Sequence, residues 1–356
     1  MSDHALVRIE TTSGDLRRAL TGLVDLMHEA GADFHPGLRI VETDGQLSAW
    51  ADGDDPWLMR IPHSTLVPVE GVTWADEPPL RVVATPDHLT PQQVEVLEAC
   101  TAVMAAAGTW ERFCTTHPRA TITDADAISL IRSLHPPFSP ATSAAAMLRT
   151  RTIKLRLNDQ QPTSYLMPML DLVNHHPDAP AYPHDGDFLC IGTWRAAPNG
   201  ECFVSYGSTR DALGIALAYG YVETAITRAN ALPGEYAMPG GASLRLLRAS
   251  ALDFTHEPDV LTIIGAAWDA ADPRVEQQTL IEPIERRLQE RGAPAMQARH
   301  QARVLSRRVL KDDVTRLGGA QQALPGIDGC QLVVRAVTFQ RDALLSMKRD
   351  ALLSMT

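Results

Sequence analysis

Cysteine is sparse in this sequence. Its five cysteines (Cys100, Cys114, Cys190, Cys202 and Cys330) are scattered over 356 residues, and none forms a Cys-x-x-Cys pair. Neither a zinc cluster nor a disulfide framework is implied. Long apolar runs are missing too, and the opening MSDHALVRIE lacks the core of a signal peptide. The expectation is a cytoplasmic protein with no membrane partner. Positive charge is in deficit: 32 Lys and Arg stand against 43 Asp and Glu, a net charge of −11. That sign disfavours nucleic acid as a partner. Ser205-Tyr206-Gly207-Ser208 is no Gly-x-Ser-x-Gly elbow, and neither a phosphate loop nor a dinucleotide fingerprint occurs. His175, His176, His184, Asp185 and Asp187 fall in one stretch but match no ligand spacing, so no metal is expected. Aromatics make up only 5% of the chain, which sets apart the tyrosines between 165 and 221.

What is present is ordinary for a globular protein: 45% apolar and 21% charged residues, in a chain long enough for two or three cores. Residues 12–31 read as an amphipathic helix with Leu16, Leu20, Leu23 and Leu26 on one face and Ser13 or Asp15 at its start. Residues 37–70 change to a strand period. Asp44-Gly45 between two β-rich runs is a hairpin signal, and Trp57–Ile61 reads as a third strand stopped by Pro62. Residues 76–150 look helical: Thr90-Pro91 opens one helix, Asp124 caps a second that ends before His135-Pro136-Pro137, and 142–148 forms a third. Strands are expected at Phe188–Trp194 and Cys202–Tyr206 around a turn at Pro198-Asn199-Gly200. Beyond Tyr221, residues 257–271, 273–291, 294–317 and 330–355 show helical spacing, with Pro283 bending the second. Arg341–Met347 recurs as Arg349–Met355, a local duplication extending a terminal helix.

One ordered set of residues carries a family likeness. Pro168, Asp171, Asn174-His175, Gly200-Glu201, Tyr206-Gly207 and Tyr219-Gly220-Tyr221 follow one another in strand and turn context. That order resembles the catalytic half of a SET-domain protein methyltransferase, in the branch similar to the RuBisCO large-subunit methyltransferase. The resemblance implies an α+β fold: a SET domain of short β-sheets with a pseudoknot-like core, split by a helical insert and followed by an all-helical C-terminal domain. The corresponding boundaries are 1–75 (N-terminal helix and first part of SET), 76–154 (insert), 155–225 (catalytic second part) and 226–356 (helical domain).

The resemblance also implies S-adenosylmethionine as cofactor and a protein substrate methylated on lysine. Tyr206 is then the catalytic tyrosine, and Tyr219 lines the channel of the target side chain. Asn174, His175, Arg151, Leu47, Ser48 and Tyr206 contact the donor, Leu47 and Ser48 through the backbone of the Asp44–Ala49 turn. Asp171 reads as structural. The chain departs from the family pattern at that turn, which has one glycine, at Ile153 in place of an aromatic, and at Arg210-Asp211, where Asp211 would set a carboxylate near the donor. Two alternatives stay open: a protein-histidine N-methyltransferase, and a catalytically weak SET-derived protein-binding module. The basic stripe from Arg286 through Arg308 places Arg299, Arg303 and Arg307 on one helix face. It is either a solvated face paired with Glu285, Glu290 and Asp312, or a surface for an acidic patch on the substrate. On the second reading, the region after about Ala225 captures substrate and contributes little to donor binding.

Overall fold

The computed structural model describes residues 7–353 except 54, 76, 78, 158–160, 198–199, 207–209, 249–256, 258, 270 and 273; side chains are described up to 347. Gly207, the Pro198-Asn199 turn and the second copy of the terminal repeat lie outside the described residues or side chains. The chain divides into two compact units, Met1–Thr115 with Thr142–Ser208, and Thr116–Ala141 with Thr209–Thr356.

The first unit mixes helices with short strands. Ser13 caps the helix Gly14–Glu29, its side chain accepting from the Leu16 N–H. That helix buries Leu16, Leu20, Leu23 and Met27. Met27 takes the place expected for Leu26, because a 3.6-residue period carries the buried stripe one residue further by the fourth step. The helix Pro91–Ala106 packs against it and starts with a complete capping box between Thr90 and Gln93. The hairpin lies where the sequence puts it. Arg39–Thr43 and Gln46–Trp50 pair antiparallel with Thr43 opposite Gln46. Asp44 and Gly45 both take positive φ, 51° and 75°, the two-residue turn whose twist suits a hairpin. A four-stranded antiparallel sheet runs His184–Asp185, Phe188–Ile191, Met59–Pro62, Asp33–Phe34. The expected strand Trp57–Ile61 is thus Met59–Pro62, and Phe188–Trp194 ends at Ile191. Thr163–Leu166 pairs with both Val67–Pro68 and Thr152–Leu155.

The second unit has a helical C-terminal region: Glu282–Glu290, Ala295–Ala323 and Gln331–Leu353. The helical expectation for 257–271 is overturned. Val260–Ile264 lies parallel to Ser243–Leu247, and Ala267–Asp269 lies antiparallel to Arg228–Asn230. Val260-Leu-Thr-Ile-Ile264 is rich in β-branched side chains, which fit a pleated, half-buried surface better than a helix. Pro283 acts as expected. It has no N–H to continue the ladder, and a π-turn over Gln277–Ile281 precedes the helix it opens. The helix Ala212–Tyr219 stops at Gly220, φ 80°. A Cβ there would lie 2.8 Å from His117 Cδ2, so the left-handed cap and the close approach both need glycine.

Candidate active site

In the first unit, the chain reaches the Asn-His dipeptide through a strained turn. Met169 is fully buried with φ 65°, a conformation that costs a non-glycine residue about 1–3 kcal/mol. A 3-10 turn, Leu170–Leu172, follows. Asn174 and His175 then pair in parallel with Phe203 and Val204. This pairing brings the two halves of the sequence motif side by side. The expected strand Cys202–Tyr206 shrinks to Phe203–Val204.

The side chains lock this junction. His175 is buried, and its Nδ1 accepts the Tyr206 backbone N–H at 2.9 Å. The same Nδ1 lies 3.2 Å from the Val204 carbonyl. The His175 and Tyr206 rings stack with centroids 5.1 Å apart. The Tyr206 hydroxyl donates to the Val173 carbonyl at 2.9 Å. With its proton directed there, the phenol oxygen keeps its acceptor capacity.

Asn174 links this junction to the hairpin. Its Nδ2 donates to Glu201 Oε1 at 2.6 Å and lies 3.4 Å from the Leu47 carbonyl. Glu201 in turn bridges Trp50, while the Cys202 N–H donates to the Ala49 carbonyl at 2.8 Å. Burial pushes the Glu201 carboxyl above the ordinary range, and the Asn174 amide pulls against that shift. Ser48 is engaged within the hairpin: its hydroxyl donates to the Val41 carbonyl and accepts from Trp50 Nε1. Its backbone lies opposite Val41 in the hairpin ladder, so the outward-facing main-chain groups of this strand are those of Leu47 and Ala49.

Arg151 approaches the same turn from another side. Its Nη1 lies 3.2 Å from Asp171 Oδ2 and 3.5 Å from the Asp171 carbonyl. Burial raises the Asp171 carboxyl above its usual range, and Arg151 partly offsets this. Asp171 is thus a support for Arg151, in line with its structural reading. Next to Arg151 stands Arg112, whose basicity is lowered first by burial and then by the neighbouring guanidinium. Arg112 lies over the hairpin turn, and a Cβ on Gly45 would be 3.2 Å from its Nη1. The turn glycine is therefore favoured by its positive φ, while a Cβ there would need the flexible end of Arg112 to give by a few tenths of an ångström.

The first unit brings together Leu47, Asn174, His175 and Tyr206, with Glu201 between them, and supports Arg151 on Asp171. Tyr219 belongs to the second unit. It ends the helix Ala212–Tyr219 with the Arg210 guanidinium 4.9 Å over its ring, and burial raises its phenol above the ordinary value. Asp211, for which a carboxylate near the donor was the expectation, is engaged within its own unit. It is fully buried in the second unit, caps the same helix through the Gly214 N–H, and pairs with Arg248. Two contributors escaped sequence reading as site residues. Glu201 stood in the motif, but nothing local marked it as the partner of Asn174. Arg112 carried no signal, since a single cation in a helix reads as surface.

No metal cluster of three or more potential ligands occurs among the described residues, and none of the described helices is long and apolar enough to cross a membrane. No protein-family model matches the sequence, and no curated protein matches it. The chain is similar to a solved structure described as the SET domain of LSMT bound to lysine and AdoHcy, with a TM-score of 0.44 and 11% identity, over 96% of this chain and 92% of that one.

Proposed function

We propose that the protein is an S-adenosylmethionine-dependent protein N-methyltransferase of the SET type, acting on a lysine side chain. The observation that carries this reading is the junction of Asn174-His175 with Glu201–Tyr206, closed by the Tyr206 hydroxyl on the Val173 carbonyl. When bound, the donor would supply an electrophilic methyl on a sulfonium, which a neutral amine attacks in line as the thioether leaves with the C–S electron pair.

The residues suit such a ligand. Arg151, backed by Asp171, offers a guanidinium for the carboxylate of the donor's amino-acid part. Asn174, held by Glu201 and Leu47, presents a side chain of fixed orientation beside it. The Tyr206 oxygen, its proton fixed on Val173, accepts the weak C–H hydrogen bonds that a methyl next to a sulfonium donates. His175 holds the Tyr206 backbone in place.

Calorimetry tests the reading directly. The protein is expected to bind S-adenosylmethionine or its demethylated product, and Asn174→Ala is expected to weaken that binding about tenfold, the value of one or two well-placed hydrogen bonds. Absence of binding by the well-folded protein overturns the proposal. Mass spectrometry of modified peptides fixes the acceptor: methyl groups found on histidine alone would replace the lysine assignment with the histidine one.

A further inference from the structure

We propose that His63 and His184 form a two-histidine site for a divalent cation of the Zn2+, Cu2+ or Ni2+ type, independent of the methyl-transfer reading. His63 follows Pro62 at the end of the strand Met59–Pro62, and His184 opens the strand His184–Asp185. Between these strands runs Phe188–Ile191, with Phe188 opposite both Pro62 and Asp185. The two imidazoles reach across that middle strand. His184 Nδ1 and His63 Nε2 stand 3.3 Å apart, with the rings edge to face.

That separation has two chemical readings, a hydrogen bond between imidazoles and a pair of metal ligands. Two nitrogens on one tetrahedral Zn2+, each about 2.0–2.1 Å from the ion, stand roughly 3.3–3.4 Å apart. The cation therefore fits between the rings with little movement of either backbone.

The surroundings prepare the pair for that role. His63 turns its Nε2 to the His184 ring, and a neutral imidazole with its lone pair on that nitrogen is the ligand form. In the metal-free pair, His184 Nδ1–H donates to His63 Nε2. Metal uptake then needs only that the His184 proton move to Nε2, on a ring that solvent reaches.

The framework is fixed on both sides. The His63 N–H donates to the Asp187 carbonyl at 2.7 Å, and Arg60 is paired with Asp185 at 2.7 Å. Asp187 lies close enough to His63 to act on its charge, adding negative potential beside the site. No third side chain completes a cage among the described residues. Water fills the remaining positions, which makes the site exchangeable and not a closed structural centre.

Titration of the full chain with ZnCl2 by calorimetry tests the assignment. One equivalent is expected to bind, and His184→Ala is expected to weaken it by roughly tenfold or more, the scale on which even an outer-shell partner counts. His184 is exposed, so that variant keeps the fold. His63→Ala is expected to do the same, and nitrogen NMR of the wild type should show His63 Nε2 and His184 Nδ1 shifting together on adding Zn2+. Equal Zn2+ affinity in the wild type and His184→Ala would overturn the proposal. So would equal affinity for Mg2+ or Ca2+, since that would assign the ion to the carboxylates of Asp185 and Asp187.

Discussion

Asp211 and Tyr206 lie five residues apart in one motif but belong to different polar clusters. In the second unit, the Asp211 oxygens accept from the Gly214 N–H, Arg248, the Asn230 N–H and Gln340 at 2.7–3.2 Å. Asp211, Arg248 and Gln340 are all buried. In the first unit, Asn174 and Tyr206 are half-buried, and their hydrogen bonds to Glu201, Leu47 and Val173 orient them without sealing them. Polar groups bonded to one another and closed off from solvent hold a fold, even with the buried Arg248 Nη2 left without a partner. Polar groups oriented but still accessible can hold a ligand. Proximity along a motif does not separate the two cases; accessibility does.

The sharpest break in the comparison is Asp211→Ala. It leaves Arg248 buried without its anion, and a loss of about 3–5 kcal/mol is expected, measured by urea unfolding. Burial alone would raise the Asp211 pKa, but Arg248 dominates and holds it below the ordinary value. Its stabilising effect is therefore present above the unfolded carboxylate range and is lost as pH falls through the folded value. An unchanged unfolding midpoint together with a collapse of donor binding would reverse the roles assigned to the two clusters.

Tyr206→Phe probes the other side. Removing an oriented oxygen from a reacting centre is expected to lower turnover about 10²-fold. The loss in stability should be only about 1 kcal/mol, one hydrogen bond to Val173. Donor affinity should hold. Single-turnover methylation and equilibrium donor binding on the same variant separate these effects. A variant as active as the wild type would leave Tyr206 a packing residue.

The sequence made some of this legible because its signals were local. The Asp44-Gly45 turn, the Ser13 and Thr90 caps and the ordered Asn174–Tyr206 motif depend on residues a few positions apart. What it hid depended on distance. Asn174 meets Glu201 across 27 residues and Leu47 across 127, and Asp211 meets Gln340 across 129. The strands at 260–269 were misread for a related reason. Their pairing with 243–247 and 228–230 decided a segment whose own periodicity was ambiguous.

A buried carboxylate in the second unit gives a smaller, pH-dependent effect. Asp313 accepts the Leu232 N–H through Oδ2, while its buried Oδ1 has no partner. Burial raises its pKa to about 7, against the pull of the Leu232 N–H and of Arg316 and with Asp312 adding to the rise. The folded state therefore binds a proton that the unfolded chain releases near pH 4. Its stabilising effect is complete below that range and is lost as pH rises through about 7. Asp313→Asn, neutral throughout, should flatten stability over this window and be more stable than the wild type at pH 8 by on the order of 2 kcal/mol. Urea midpoints at pH 5 and pH 8 check this. An equal change with pH in both proteins would place the proton elsewhere.

The smallest effect concerns the basic stripe, where accessibility is greatest. Arg299, Arg303 and Arg307 are exposed on the helix Ala295–Ala323, with Met296 88% and Val304 52% exposed on the same side. Of the acids expected to neutralise the stripe, Glu290 pairs with Arg287 inside it, while Glu285 accepts from Gln289 and Asp312 from the Tyr236 hydroxyl. A cationic face with apolar residues on it, in a chain of net charge −11, suits an acidic patch on a protein substrate. Reversing the three arginines to Glu should raise the KM for a protein substrate severalfold, and high salt should weaken the wild type in the same direction. Donor affinity should stay within about twofold, because exposed charges are weakened by the salt of the solution. A collapse of donor affinity in the folded variant would show that donor binding and substrate capture are not divided between the two regions of the chain.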